Sequence, residues 1–208
     1  MPHPGRGCAP RDRAAPARRL SSGTYGNRAR PYRGWPTGVL RLVREHCRLF
    51  DALETIVEER ALQDVLKVHC FGCGSLNEQG LQIKSHWDGD ALLCSWQPKS
   101  HHIGHPGIVY GGVIASVVDC HAIWTAMATA CRDEGLPLDD ARPPPFAFVT
   151  GQLSVSFLKP ARIDRPLQLY AKVSNKDERR VQVGCRVTQD GVECASGEVV
   201  TVRVRALG

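Results

Sequence analysis

The stretch GIVYGGVIASVVDCHAIWTAMATA, residues 107–130, decides how the chain folds. It opens on a glycine pair, Gly111-Gly112, and is then almost entirely apolar, with Asp119, Cys120 and His121 in its middle. A run of this length and period predicts a helix over about 112–134. Being apolar on every side, that helix has to be buried. A carboxylate inside it needs partners or a task.

At ~100° per residue, Asp119 falls on one line with Ala115, Ile123, Ala126 and Ala130. This small-residue strip lets a backbone or a thin ligand approach. His121 points ~160° away, with Ile114, Val117 and Ala128, so it cannot pair with Asp119 on the same helix. Cys120 has no basic neighbour to make it a nucleophile. The first amides of the helix, at Gly111 and Gly112, lack intrahelical acceptors and carry the positive end of the dipole. They suit a developing oxyanion. Asp119 lies seven residues further on, roughly 10 Å along the axis.

On either side of this helix the period falls to two. LQIKSHW and ALLCSWQ, separated by Asp88-Gly89-Asp90, predict a hairpin. After the helix, FAFVTGQLSVSFLKP, PLQLYAKVSN, RRVQVGCRVTQ and VECASGEVVTVRVRA predict four more strands. The order is two strands, one long helix and four strands. An antiparallel sheet curled around a central helix satisfies it, which makes the class α+β.

Three regions are expected. Residues 1–38, rich in Arg, Pro, Gly, Ala and Ser, read as a disordered basic tail. Residues 39–68, with apolar positions at helical spacing, read as an N-terminal helical segment, and residues 69–208 as the folded domain. The net charge of +6 belongs to the tail. Residues 1–35 hold eight Arg against one acid, which leaves the remainder at −1. The domain therefore gives no charge argument for nucleic acid. With no apolar run near ~20 residues and no signal peptide, neither a membrane span nor secretion is expected. The nine scattered Cys then read as reduced thiols in a cytoplasmic setting. The Arg-rich tail keeps mitochondrial targeting as an alternative. Cys70-x-x-Cys73 supplies two metal ligands where a structural zinc site needs four, so the motif reads as a packed turn and no metal is expected.

CFGCGSLNEQGLQIK, HPGIVYGGVIASVVDCHAIWTA and FVTGQLSVSFLKPARIDRPL together resemble hotdog-fold acyl-CoA thioesterases of the PaaI-like (phenylacetate and 4-hydroxybenzoyl-CoA thioesterase) superfamily. The likeness covers about residues 69–205. It implies a six-stranded antiparallel sheet wrapped round one helix, here with an N-terminal helical extension. It implies a homodimer or dimer of dimers with sites at the subunit interface. The implied reaction is hydrolysis of an acyl-CoA to acid and CoA, with no cofactor beyond the substrate's own coenzyme A.

By the same resemblance Asp119 is the carboxylate that activates water or attacks as nucleophile. Gly111 and Gly112 polarise the thioester carbonyl, and Thr150 is a hydroxyl that orients the water. Two positions depart from the family pattern. Tyr110 stands where a His is usual and Gly104 where some relatives have Asn. Both are substrate-facing positions in the family, and His105 is a candidate to compensate. Lys159, with Arg162 and Arg165, is a candidate contact for CoA phosphates. A non-catalytic acyl-CoA-binding module of the same fold is the alternative reading.

Overall fold

A computed structural model describes residues 60–139 and 141–206. The expected tail and most of the expected N-terminal helical segment lie outside these residues. Within that segment, Leu62–Val65 forms one short helix, α1. Strands β1 (His86–Asp88) and β2 (Ala91–Trp96) come next, followed by the long helix α2 (Gly111–Asp133). The chain closes with β3 (Phe146–Phe157), β4 (Leu167–Lys176), β5 (Arg180–Gln189) and β6 (Val192–Arg205).

All six strands form one antiparallel sheet in the order β1-β2-β4-β5-β6-β3. This is the hotdog arrangement, with α2 packed against the sheet. The turns follow their sequences. Gly89 takes a positive φ between Asp88 and Ala91, and Asp190-Gly191 takes positive φ at both positions, as a tight two-residue hairpin requires.

The first strand is shorter than its period predicts. Residues 81–85 leave the sheet because their backbone is used elsewhere. Leu81 N–H donates to Phe71 O, Ile83 N–H to Gly72 O, and Ser85 O accepts from Leu62 N–H. The segment ties the Cys70–Gly74 turn and α1 to the core.

Helix α2 buries Ile114, Val117, Val118, His121, Ala122 and Thr125. Contrary to the expectation that no apolar run approaches ~20 residues, α2 is long and apolar enough to cross a membrane by length and composition, because its apolar period is broken only by single polar residues, but it is packed in the core of the sheet. It comes close to the sheet at Gly197 on β6, where a Cβ would stand 2.5 Å from Val118 Cγ1. That glycine lets the helix settle on the sheet beside Asp119.

His121 is fully buried and fully satisfied. The Leu92 carbonyl, 3.1 Å from Nε2, can only accept, so Nε2 carries the proton. Nδ1 then accepts from Ser85 Oγ at 2.9 Å, and Gln63 Nε2 donates to that hydroxyl at 2.8 Å. Burial pushes the imidazole down to about 4, against the weaker pull of the Leu92 carbonyl. His121 is a neutral core residue pointing away from Asp119, as the wheel predicts.

Candidate functional site

Asp119 and Thr150 meet. The Thr150 hydroxyl donates to Asp119 Oδ1 at 2.5 Å, from the middle of β3 to the middle of α2. A β-bulge aims it there. The register passes from Thr150↔Thr201 to Gln152↔Val200, leaving Gly151 as the extra residue. A side chain at Gly151 would crowd the neighbouring strand, since a Cβ would lie 2.9 Å from Val202 Cγ2. Thr150 therefore sits within the strand, and its hydroxyl is committed to the carboxylate. Asp119 is half-buried, as are Ala115, Ile123 and Ala130 on its strip.

The glycine pair opens α2 as predicted. Tyr110 is the N-cap, without a side-chain cap bond, and its carbonyl accepts from Val113 and Ile114 N–H. The Gly111 and Gly112 amides lie ahead of these bonds, at the positive end of the helix dipole. Two aromatic rings wall this end. A Cβ on Gly112 would fall 2.4 Å from Tyr110 Cε1, and one on Gly111 would fall 3.3 Å from Phe157 Cζ. Both rings are largely exposed, Tyr110 at 58% and Phe157 at 57%.

The two departures from the family pattern are physically linked. A Cβ on Gly104 would come within 3.0 Å of Tyr110 Cα and 3.4 Å of its Cβ. The loop that holds them is fixed by backbone bonds, Gly104 N–H to Ile108 O and Tyr110 N–H to His102 O. Of its histidines, His102 is structural. It is buried, accepts from Lys99 N–H at 3.0 Å and stacks on Trp96 at 5.1 Å between centroids. Burial, with help from His101 and Lys99, lowers its pKa. His105 is exposed in the turn that ends at Ile108.

The three candidate phosphate contacts separate. Arg162 makes two bonds to Asp164, at 3.0 and 2.7 Å, and Arg165 pairs with Asp190. Lys159 is exposed and has no ion-pair partner among the described residues. Trp96 and Trp124 are buried, and Trp87 packs partly buried against the core under Arg132.

Further along the alanine strip lies a cavity of about 240 Å³, lined by Ala126, Thr129, Ala130, Phe148, Arg179 and Arg203, among others. The Thr129 hydroxyl is buried there without a partner among the described residues. The wheel indicates room on this side. It does not show the cavity's polar rim, because Arg179 and Arg203 come from the distant β4–β5 turn and β6.

Residues 106–196 match the thioesterase superfamily family model. A thioesterase superfamily protein from Shewanella loihica is similar at 31% identity, over 66% of this chain and 95% of that one, with a TM-score of 0.50. A second thioesterase superfamily protein is 22% identical over 82% of this chain and 80% of its own, with a TM-score of 0.51. A mutant thioesterase from Pseudomonas aeruginosa is 15% identical over 61% of this chain and 84% of its own, with a TM-score of 0.50. These last two share the fold. Comparison with curated proteins gives no match. The motifs, the sheet wrapped on α2 and the 31% identical relative agree, and the chain belongs to the hotdog-fold thioesterase superfamily.

Proposed function

We propose that the protein hydrolyses an acyl-CoA thioester to the free acid and CoA. The observation that carries this reading is the Asp119 carboxylate, held by Thr150 and half-exposed, about two helical turns from the Gly111-Gly112 amides. One carboxylate oxygen is anchored by the hydroxyl. The other is left to accept a proton from water, whose oxygen adds to the thioester carbon. The carbonyl oxygen gains charge against the glycine amides. Collapse of the adduct breaks the C–S bond, and the thiolate of CoA takes up the proton from Asp119. Direct attack by the carboxylate, followed by hydrolysis of the anhydride, fits the same placement.

The acyl group runs along the strip of Ala115, Ile123, Ala126 and Ala130 toward the cavity. Lys159 remains for the phosphates of CoA. The working unit is a homodimer built on β3, a sheet edge that exposes Val149, Leu153 and Phe157 beside the site. The setting is cytoplasmic. One observation favours a second reading, a binding module without turnover: the Tyr110 ring lies over Gly112, where a carbonyl oxygen has to arrive.

Thiol release from short, medium, long and aromatic acyl-CoAs separates the two readings. Hydrolysis by the wild type and loss in a folded Asp119→Asn supports the enzyme. A melting temperature raised by acyl-CoA with no thiol release selects the binding module.

A further inference from the structure

We propose that Cys70, Cys73 and Cys120 form a three-sulfur site for a thiophilic divalent metal ion, with zinc as its natural occupant. Cys70 and Cys73 alone are two ligands. The fold brings a third from α2, 50 residues from Cys70 in sequence, and the three sulfurs lie within 4.8 Å of one another. Cys70 Sγ and Cys120 Sγ are 3.7 Å apart. Two thiolates bound tetrahedrally to zinc at ~2.3 Å stand about 3.8 Å apart, so this edge is already at coordination distance.

The turn is shaped around the sulfurs. Gly72 lies where a Cβ would come 2.2 Å from Cys120 Sγ, so any side chain there would displace the thiol. Gly74 N–H donates to Cys70 O at 2.9 Å, and a Cβ on Gly74 would overlap the Cys70 backbone. The Cys70-Phe71-Gly72-Cys73-Gly74 turn thus folds tightly enough to set both of its thiols over the helix. The indole N–H of buried Trp124 donates to Cys73 Sγ at 3.0 Å, the kind of outer bond that steadies a sulfur ligand.

A divalent cation displaces the thiol protons and lets all three sulfurs ionise, releasing protons on binding. The exposed side at Cys70 leaves the fourth position to solvent. Cys94, Cys131 and Cys185, whose thiols burial pushes up, form no such group among the described residues.

The test is titration of the reduced full-length protein with Co²⁺, followed by competition with Zn²⁺. The expected result is a sulfur-to-cobalt charge-transfer band that saturates at one equivalent and is erased by zinc. Affinity should fall by about tenfold or more in Cys70→Ala, Cys73→Ala and Cys120→Ala, and stay unchanged in Cys131→Ala. Cys70 is exposed, so its variant keeps the fold if the buried ones do not. Zinc should raise the melting temperature of the wild type and leave that of Cys70→Ala unmoved. Absence of the band in folded, reduced wild type overturns the site. So does a band of full strength in Cys70→Ala or Cys120→Ala, which would assign the metal to other ligands such as Cys8 or Cys47. A Cys70–Cys120 disulfide in the reduced preparation, found by peptide mapping, would do the same.

Discussion

Thr150, at a β-bulge, donates its hydroxyl to Asp119 on the buried helix, so strand β3 fixes the rotamer of the carboxylate. Removing the carboxylate and removing its anchor should differ in degree. Asp119→Asn should lower kcat by about 10² or more, the range general-base catalysis supplies. Thr150→Ala should lower it by about tenfold, because the base remains but is no longer held, and Thr150→Ser should restore most of the loss. Steady-state thiol release, with melting curves to confirm folding, checks the series. Equal loss in Ser and Ala variants would rule out the hydroxyl as the positioning group.

Gly104 and Tyr110 are complementary, and their substitutions should be too. A Cβ at 104 meets the Tyr110 backbone, which cannot swing away, so Gly104→Ala should cost about 1 kcal/mol of stability. A Cβ at 112 meets only the exposed Tyr110 ring. Gly112→Ala should leave the melting temperature almost unchanged and shift KM or kcat through the displaced ring. Tyr110→Ala combined with Gly112→Ala should then behave additively for stability, which urea titrations of the four proteins can measure.

These pairs also show which parts of the molecule the sequence makes legible. Periodicity alone places α2 and the four long strands, because each buries one face against the other. It overextends β1, whose alternating residues 81–85 spend their hydrogen bonds on the 71–72 turn and on Leu62. The helical wheel separates Asp119 from His121 correctly, since that angle is local. It misses Cys120 joining Cys70 and Cys73, and it misses the arginines at the cavity rim. Both depend on which distant turns the sheet topology sets against the helix.

Gly197 and Val118 set how closely α2 lies on the sheet. Gly197→Ala forces a methyl group to within 2.5 Å of Val118 Cγ1 in a buried contact. It should destabilise by about 1–3 kcal/mol, the range for overpacking a core. Val118→Ala opens space at the same point, so the double variant should recover part of the loss and show a non-additive cycle. Because Asp119 follows Val118, Gly197→Ala should also reduce turnover more than its loss of stability explains.

The exposed apolar edge of β3 should be covered in solution. Leu153→Lys places a charge among Val149, Leu153 and Phe157 without touching the core of the single chain. The variant should elute as a monomer in size-exclusion chromatography with multi-angle light scattering. It should also lose most activity, if the site needs the neighbouring copy. A wild type that is monomeric and fully active would refute the dimer.

His121 makes stability depend on pH with a definite sign. Its folded-state pKa of about 4 lies below the ordinary imidazole value of about 6.5, so the unfolded chain binds the proton first as pH falls. Above pH ~6.5 both states are neutral at this residue and it contributes no pH dependence. Between about 6.5 and about 4 the unfolded state is progressively favoured, by roughly 1.4 kcal/mol per pH unit at most, until both states are protonated. His121→Asn keeps a donor and an acceptor but cannot titrate. Urea unfolding at pH 7.5 and pH 5.0 should therefore show the wild type losing stability relative to His121→Asn, with the gap closing toward the acid side. Parallel loss in the two proteins would mean that the acid sensitivity comes from carboxylates, and that the buried imidazole titrates normally.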